Sequence, residues 1–260
     1  MLSSVLLAIL IFLVAALYST VGHAGASGYL ACMALFGLAP EVMRPAALTL
    51  NILVATIGTI RFARAGCFSR RIFLPFAITS VPCAYFGGRY HLSAQTYHYV
   101  LGVVLLFASL QLFRKAVAFQ SVSTTPPAPL VALPVGAALG YLSGLTGVGG
   151  GIFLSPILLL LCWANPQTTA GVSAAFILVN SLAGLGGAWS DLPHLPGAIA
   201  LWAVAAIAGG NIGSYLGSRR LTGPAIRRLL AAVLVIAACD QLLKGTRKSA
   251  QKDSTSTQPA

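Results

Sequence analysis

Gly147-Val148-Gly149-Gly150-Gly151 sits in the middle of an apolar run extending from about residue 130 to 163. Glycine costs roughly 1 kcal/mol per residue in a helix interior relative to alanine, so a cluster of four in five positions interrupts a helix. A looser copy, Gly22-His23-Ala24-Gly25-Ala26-Ser27-Gly28, occupies the matching place in an earlier run from about 3 to 38. Each run is about 35 residues long, whereas one membrane crossing needs about 20. Both are therefore expected to fold as two helical legs joined at a glycine break. Backbone opened at membrane depth survives only when it is buried in protein or lines a cavity. Such breaks are where membrane transporters hold their substrates.

Composition supports a membrane setting. Hydrophobic residues make up 57% of the 260 and charged residues 8%, with a mean hydropathy of +0.87. Soluble domains carry about a quarter charged residues. The net charge of +12 does not indicate nucleic acid, because the basic residues form no single patch. They fall between apolar segments, at Arg61, Arg64, Arg70, Arg71, then Arg114 and Lys115, then Arg219, Arg220, Arg227 and Arg228, as in cytoplasmic loops. The five cysteines show no metal-like or C-x-x-C spacing and read as small packing residues. The first twenty residues lack the basic start of a signal peptide and are kept as part of the fold.

Eight apolar blocks run at about 3–38, 45–63, 72–88, 97–113, 130–163, 170–188, 197–217 and 225–243. The expected organisation is a first transmembrane repeat over 1–115, a linker over 116–129, a second repeat over 130–245 and a disordered polar tail over 246–260. A shift of 130 residues sets Tyr85, Gly87, Arg89, Val103, Ala108, Gln111 and Leu112 on identical residues, from Tyr215 to Leu242. A shift of about 125 sets Gly22 and Gly25 on Gly147 and Gly150. If blocks 1 and 5 return to their own side, the two repeats are inverted. One face then collects the ten loop arginines and lysines named above, and the other only Arg44 and Arg89. The positive-inside rule favours that arrangement over six on each side, although Lys244, Arg247, Lys248 and Lys252 then fall outside.

A helix starting at mid-depth presents its first N–H groups and the positive end of its dipole, and glycine lets an anion approach them. The second leg is expected to begin near Gly151 in one half and near Gly28 in the other. Gly25, Ser27, Gly28, Gly149, Gly150 and Gly151 are therefore candidate anion contacts, against the plainer reading that small residues let helices pack closely. Asn51, Ser173 and Asn180 are candidate side-chain contacts, since an amide in hydrocarbon needs partners. Any one serine or threonine is more often bonded to its own helix. His23 is either a structural residue or a proton-coupling group. The four acidic residues, Glu41, Asp191, Asp240 and Asp253, are too few for a cation path, which points to an anionic or neutral cargo.

The glycine-rich break early in each half, the Pro156 that follows it and the glycine pair Gly213 and Gly217 resemble the sulfite exporter TauE/SafE family over about residues 3–243. His23, Ala24 and Ala26 stand where that family tends to have glycine. The resemblance implies a multi-pass inner-membrane permease for a small sulfur-containing or organic anion such as sulfite or a sulfonate. Its partners would be that anion and the lipid bilayer, with no nucleic acid, no cofactor and no metal. A membrane-embedded enzyme would need a nucleophile with its base, paired carboxylates or metal ligands. His23, His91, His98 and His194 show no such spacing. A membrane scaffold or assembly factor is the remaining alternative, and it would have no use for a polar, glycine-broken interior.

Overall fold

A chain in hydrocarbon must satisfy its backbone hydrogen bonds internally, and this one does so with helices. The computed structural model describes residues 2–90, 92–114 and 127–219, with Val235, Cys239, Leu242 and Leu243. The first half holds α1 (Leu2–Ser19), α2 (Ala26–Leu35), α3 (Pro40–Arg64), α4 (Arg70–Arg89) and α5 (Ala94–Arg114). The second holds α6 (Pro129–Thr146), α7 (Gly151–Leu160), α8 (Pro166–Gly187), a 3-10 turn (Trp189–His194) and α9 (Ile199–Arg219). No strand occurs among the described residues. Most of the expected linker, the 246–260 tail and most of the eighth block lie outside the described residues.

Four of these helices are long and apolar enough to cross a membrane: Pro40–Arg64, Pro129–Thr146, Pro166–Gly187 and Ile199–Ser218. The prolines Pro40 and Pro166 open α3 and α8, where a missing N–H costs nothing. Asn165 adds a cap to α8, its side chain accepting from the Thr168 N–H at 2.8 Å. Large apolar side chains such as Val204 (66% exposed) and Ile78 (64%) stand on the outside, as a lipid-facing surface requires.

Both long runs are broken where expected. The legs α2 and α7 are ten residues each, about 15 Å at the helical rise, half of a hydrocarbon core. The leg α2 packs on α1 and α3, and α7 packs mainly on α8. Ser27 Oγ donates to Tyr18 Oη at 3.3 Å and Gly28 lies against Val14. In the second hairpin Gly150 lies against Ser143 and the Leu139 carbonyl. The α2 helix starts at Ala26, ahead of the expected Gly28, because Gly25 takes the left-handed N-cap position at φ 103°.

Small residues set how the helices meet. On α6, Gly136, Gly140 and Gly144 face the carbonyls of Phe76, Ser80 and Ala84 on α4. On α9, Gly209 and Gly213 face the carbonyls of Phe12 and Ala16 on α1, and Gly217 that of Thr20 just beyond its end. Both rows repeat every four residues, so one helix face brings backbone against backbone. The paired numbers rise together, so α4 runs parallel to α6 and α1 parallel to α9. The crossing of α3 with α8 is antiparallel: Gly58 meets Ala174 while Gly184 meets Leu48.

Candidate functional site

The second break is built around Gly147, Gly149 and Gly150, all in the left-handed region (φ 80°, 82° and 76°). Among the described residues, nothing accepts a hydrogen bond from the N–H groups of Gly149, Gly150, Gly151 or Ile152. These are the orphan donors at the start of α7, and the helix dipole adds partial positive charge there. Asn51 of α3 closes one side. Its Nδ2 donates to the Val148 carbonyl and to Ser181 Oγ, both long at 3.4 Å. Its Oδ1 is buried without a partner, as is Ser143 Oγ beside Gly150. Thr146 Oγ1 accepts from the Val148 N–H at 3.4 Å, and the Thr146 carbonyl accepts from Tyr97 Oη at 3.1 Å.

The first break is filled differently. Tyr29 folds its ring against Gly25 and donates its hydroxyl to the Ala24 carbonyl. The N–H groups of Ala26, Ser27 and Gly28 have no partner among the described residues. A tyrosine ring of the same hairpin fills this break, whereas the Phe176 ring of α8 packs on Gly150 in the second. Gly28 serves chiefly to admit Val14 of α1.

A polar chain joins the halves. His23 Nε2 lies 3.1 Å from Ser155 Oγ on α7, and Ser155 Oγ lies 2.7 Å from Ser173 Oγ on α8. Next to it, Gly22 packs on the Ala170 carbonyl. So His23 and Ser173, chosen separately from sequence, belong to one cluster. Asn51, Gly149, Gly150 and Gly151 form another, with Ile177 of α8 packed against Gly149 and Gly151. Asn180 joins neither by a hydrogen bond of its amide nitrogen, which donates to Phe176 O of its own helix at 2.8 Å. Its Oδ1 is buried without a partner.

Two residues, Ser155 and Arg44, escaped the sequence reading of the site. Ser155 lies four residues beyond Gly151, on the same face of α7, and that spacing was the available signal. Ser181 is the hydroxyl that Asn51 meets. Arg44 reads as a loop charge in sequence, yet it is 5% exposed within α3, beside Gly147, and donates to the Tyr90 carbonyl at 2.9 Å. Nothing local to Arg44 in sequence signals that burial.

Each half of this helical chain thus carries a glycine-broken segment with unpartnered amides, a feature found in membrane transporters. A profile of the family described as "Sulfite exporter TauE/SafE" matches residues 7–240, and the chain belongs to that family. It is 42% identical over 233 residues to a protein of Sinorhizobium fredii named "Probable membrane transporter protein y4hK", covering 88% of this chain and 94% of that one. It is 24% identical over 230 residues to "Probable membrane transporter protein YunE" of Bacillus subtilis, covering 79% and 82%. No solved structure matches it significantly. These names are those of transporters, not enzymes.

Proposed function

We propose that the chain is an inner-membrane permease for a small anion, sulfur-containing or organic, such as sulfite or a sulfonate, working by alternating access between two inverted repeats. One observation carries the reading: four consecutive N–H groups at Gly149 to Ile152 are unpartnered in the interior, beside the Asn51 amide. An unmade hydrogen bond in hydrocarbon costs several kcal/mol per group. A bound anion accepting from those amides offsets that cost and suits the helix dipole. The family's description supplies sulfite as the first anion to try.

The inverted arrangement draws support from the packing. Matching helices exchange partners, α4 with α6 and α9 with α1, while the matching pair α3 and α8 cross antiparallel. Paired contacts repeat the exchange: Gly22 meets Ala170, and Gly147 meets Arg44. Repeats so related carry their loop arginines to one face, in keeping with the positive-inside rule. His23, Ser155 and Ser173 lie where the halves touch and would carry a coupling proton.

The test is flux in vesicles reconstituted with purified protein, comparing sulfite, thiosulfate, short sulfonates and carboxylates in both directions. At least one should move faster than in empty vesicles and should raise the protein's melting temperature. A panel in which nothing moves and nothing stabilises rejects the anion reading. A scaffold would also keep its function after alanine substitution through Gly149–Gly151.

A further inference from the structure

Away from the breaks, a cavity of about 590 Å³ opens between the last two turns of α3 and the facing side of α9. Its wall combines Ile57 with Arg61, Arg64, Asn211 and Tyr215. The Arg61 guanidinium donates to Asn211 Oδ1 and lies over the Tyr215 ring, 5.4 Å from its centroid. Among the described residues neither arginine has a carboxylate partner. Among the described residues, their two charges are therefore held at this surface without a neutralising carboxylate.

The cavity has a cause in the sequence. At the crossing of α8 with α4, Gly187 rests on the Tyr85 carbonyl and Gly88 on the Gly184 carbonyl, so backbones touch. The contacts Gly58–Ala174 and Gly184–Leu48 set α3 on α8 at a shift of 126 residues, so Arg61 matches Gly187, while Tyr215 matches Tyr85 at the shift of 130. An arginine stacked on a tyrosine replaces a glycine seated on a carbonyl, and the crossing is wedged apart.

The cavity also points somewhere. Asn51, Val54, Gly58 and Arg61 recur at spacings of three, four and three, which places them along one face of α3. Between the cavity and Asn51 that face is shut where Val54 packs on Gly210, 2.7 Å from where a Cβ there would lie. A water occupies about 30 Å³ of liquid, so the cavity takes a small oxyanion with its first hydration shell.

We infer that this cavity is an antechamber on the transport path, where Arg61 and Arg64 collect the small anion before it passes Val54 toward Gly149. The inference rests on the permease reading, whose topology turns the C-terminal end of α3 to the cytoplasm. The same guanidinium pair matches the phosphate of an anionic lipid, and the experiment separates the two sources.

The full-length protein carrying Ile57→Cys is placed in phosphatidylcholine vesicles and labelled with negatively or positively charged methanethiosulfonates of similar size. Peptide mass spectrometry reads the modification at residue 57, so the native cysteines can stay. The anionic reagent should react faster by about tenfold or more, the scale of focusing in a charged cleft. Millimolar sulfate should slow it. Adding Arg61→Gln and Arg64→Gln should bring the ratio near one, and Arg64→Gln alone, exposed at the rim, should lower it without disturbing the Tyr215 stack. Equal rates for the two reagents overturn the inference, and so does protection by phosphatidylglycerol vesicles but not by sulfate. Flux with unselective labelling removes the antechamber alone. Selective labelling without flux removes the permease reading and leaves the cavity a plain anion site.

Discussion

Replacing Gly149 by alanine is the sharpest perturbation of the second break. At φ 82° a Cβ costs about 1–2 kcal/mol of backbone strain. That Cβ would sit 2.7 Å from Asn51 Nδ2 and 2.9 Å from the Ile177 side chain. Overpacking of this kind costs about 1–3 kcal/mol more, and here it is relieved by moving Asn51 or the amide fan. Some 3 kcal/mol taken from anion binding is on the order of a hundredfold in rate. Gly37→Ala supplies the control, since its φ of 75° carries the same strain with open space around the new methyl. Flux in vesicles, normalised to inserted and monodisperse protein, should fall about a hundredfold for Gly149→Ala and by no more than a few-fold for Gly37→Ala. Wild-type flux in well-folded Gly149→Ala, or equal damage from both, would refute the reasoning.

Three further outcomes follow from the same geometry. Asn51→Leu keeps the volume and removes the amide, so flux should drop at least tenfold while the melting temperature holds or rises. A buried Oδ1 without a partner is lost with it, and a matching loss of stability would instead make Asn51 a structural strut. Ser155→Ala cuts the link between His23 and Ser173; the dependence of flux on an imposed pH gradient should flatten, and an unchanged dependence would take the proton role from His23. Gly140→Leu drives a side chain into the Ser80 carbonyl; it should cost several kcal/mol as core overpacking does, seen as a lowered melting temperature and aggregation on size exclusion.

Much of the architecture was legible because the bilayer leaves few options. Long apolar runs must be helices, and four glycines in five residues at 147–151 cannot continue one. The positions of both breaks follow from such local rules, whereas α3 and α8 begin at Pro40 and Pro166, about five residues ahead of their apolar blocks. The candidate site was legible only in part. Asn51 and the glycines of the second break come together, but whether an amide turns inward depends on helix rotation, which apolar sequence hardly encodes. Asn180 shows it, bonding its own helix through its amide nitrogen. Arg44 shows the opposite error. A charge near a helix start reads as a loop residue until the neighbouring hairpin is packed against it.

The two breaks share a backbone plan yet differ in what fills them, and the difference bears on mechanism. In the first, Tyr29 seals the Ala24 carbonyl and Tyr18 meets Ser27, so rigid phenols hold the turn. In the second, Phe176 and Ile177 of α8 pack on the glycines beside Asn51, Ser143 and Thr146, and the Asn51 and Ser143 side-chain oxygens are left unspent. A rocking transporter needs one surface that keeps its shape and another that exchanges hydrogen bonds with cargo. The first break meets the second half at two points: Gly22 seats on Ala170 of α8, and His23 reaches Ser155 of α7. A change of angle between the halves must therefore disturb the His23–Ser155–Ser173 chain, while Asn51 and Gly149, also from opposite halves, separate or close with it. Both polar clusters lie across the same boundary, so cargo held at one and a proton held at the other would bias a single motion.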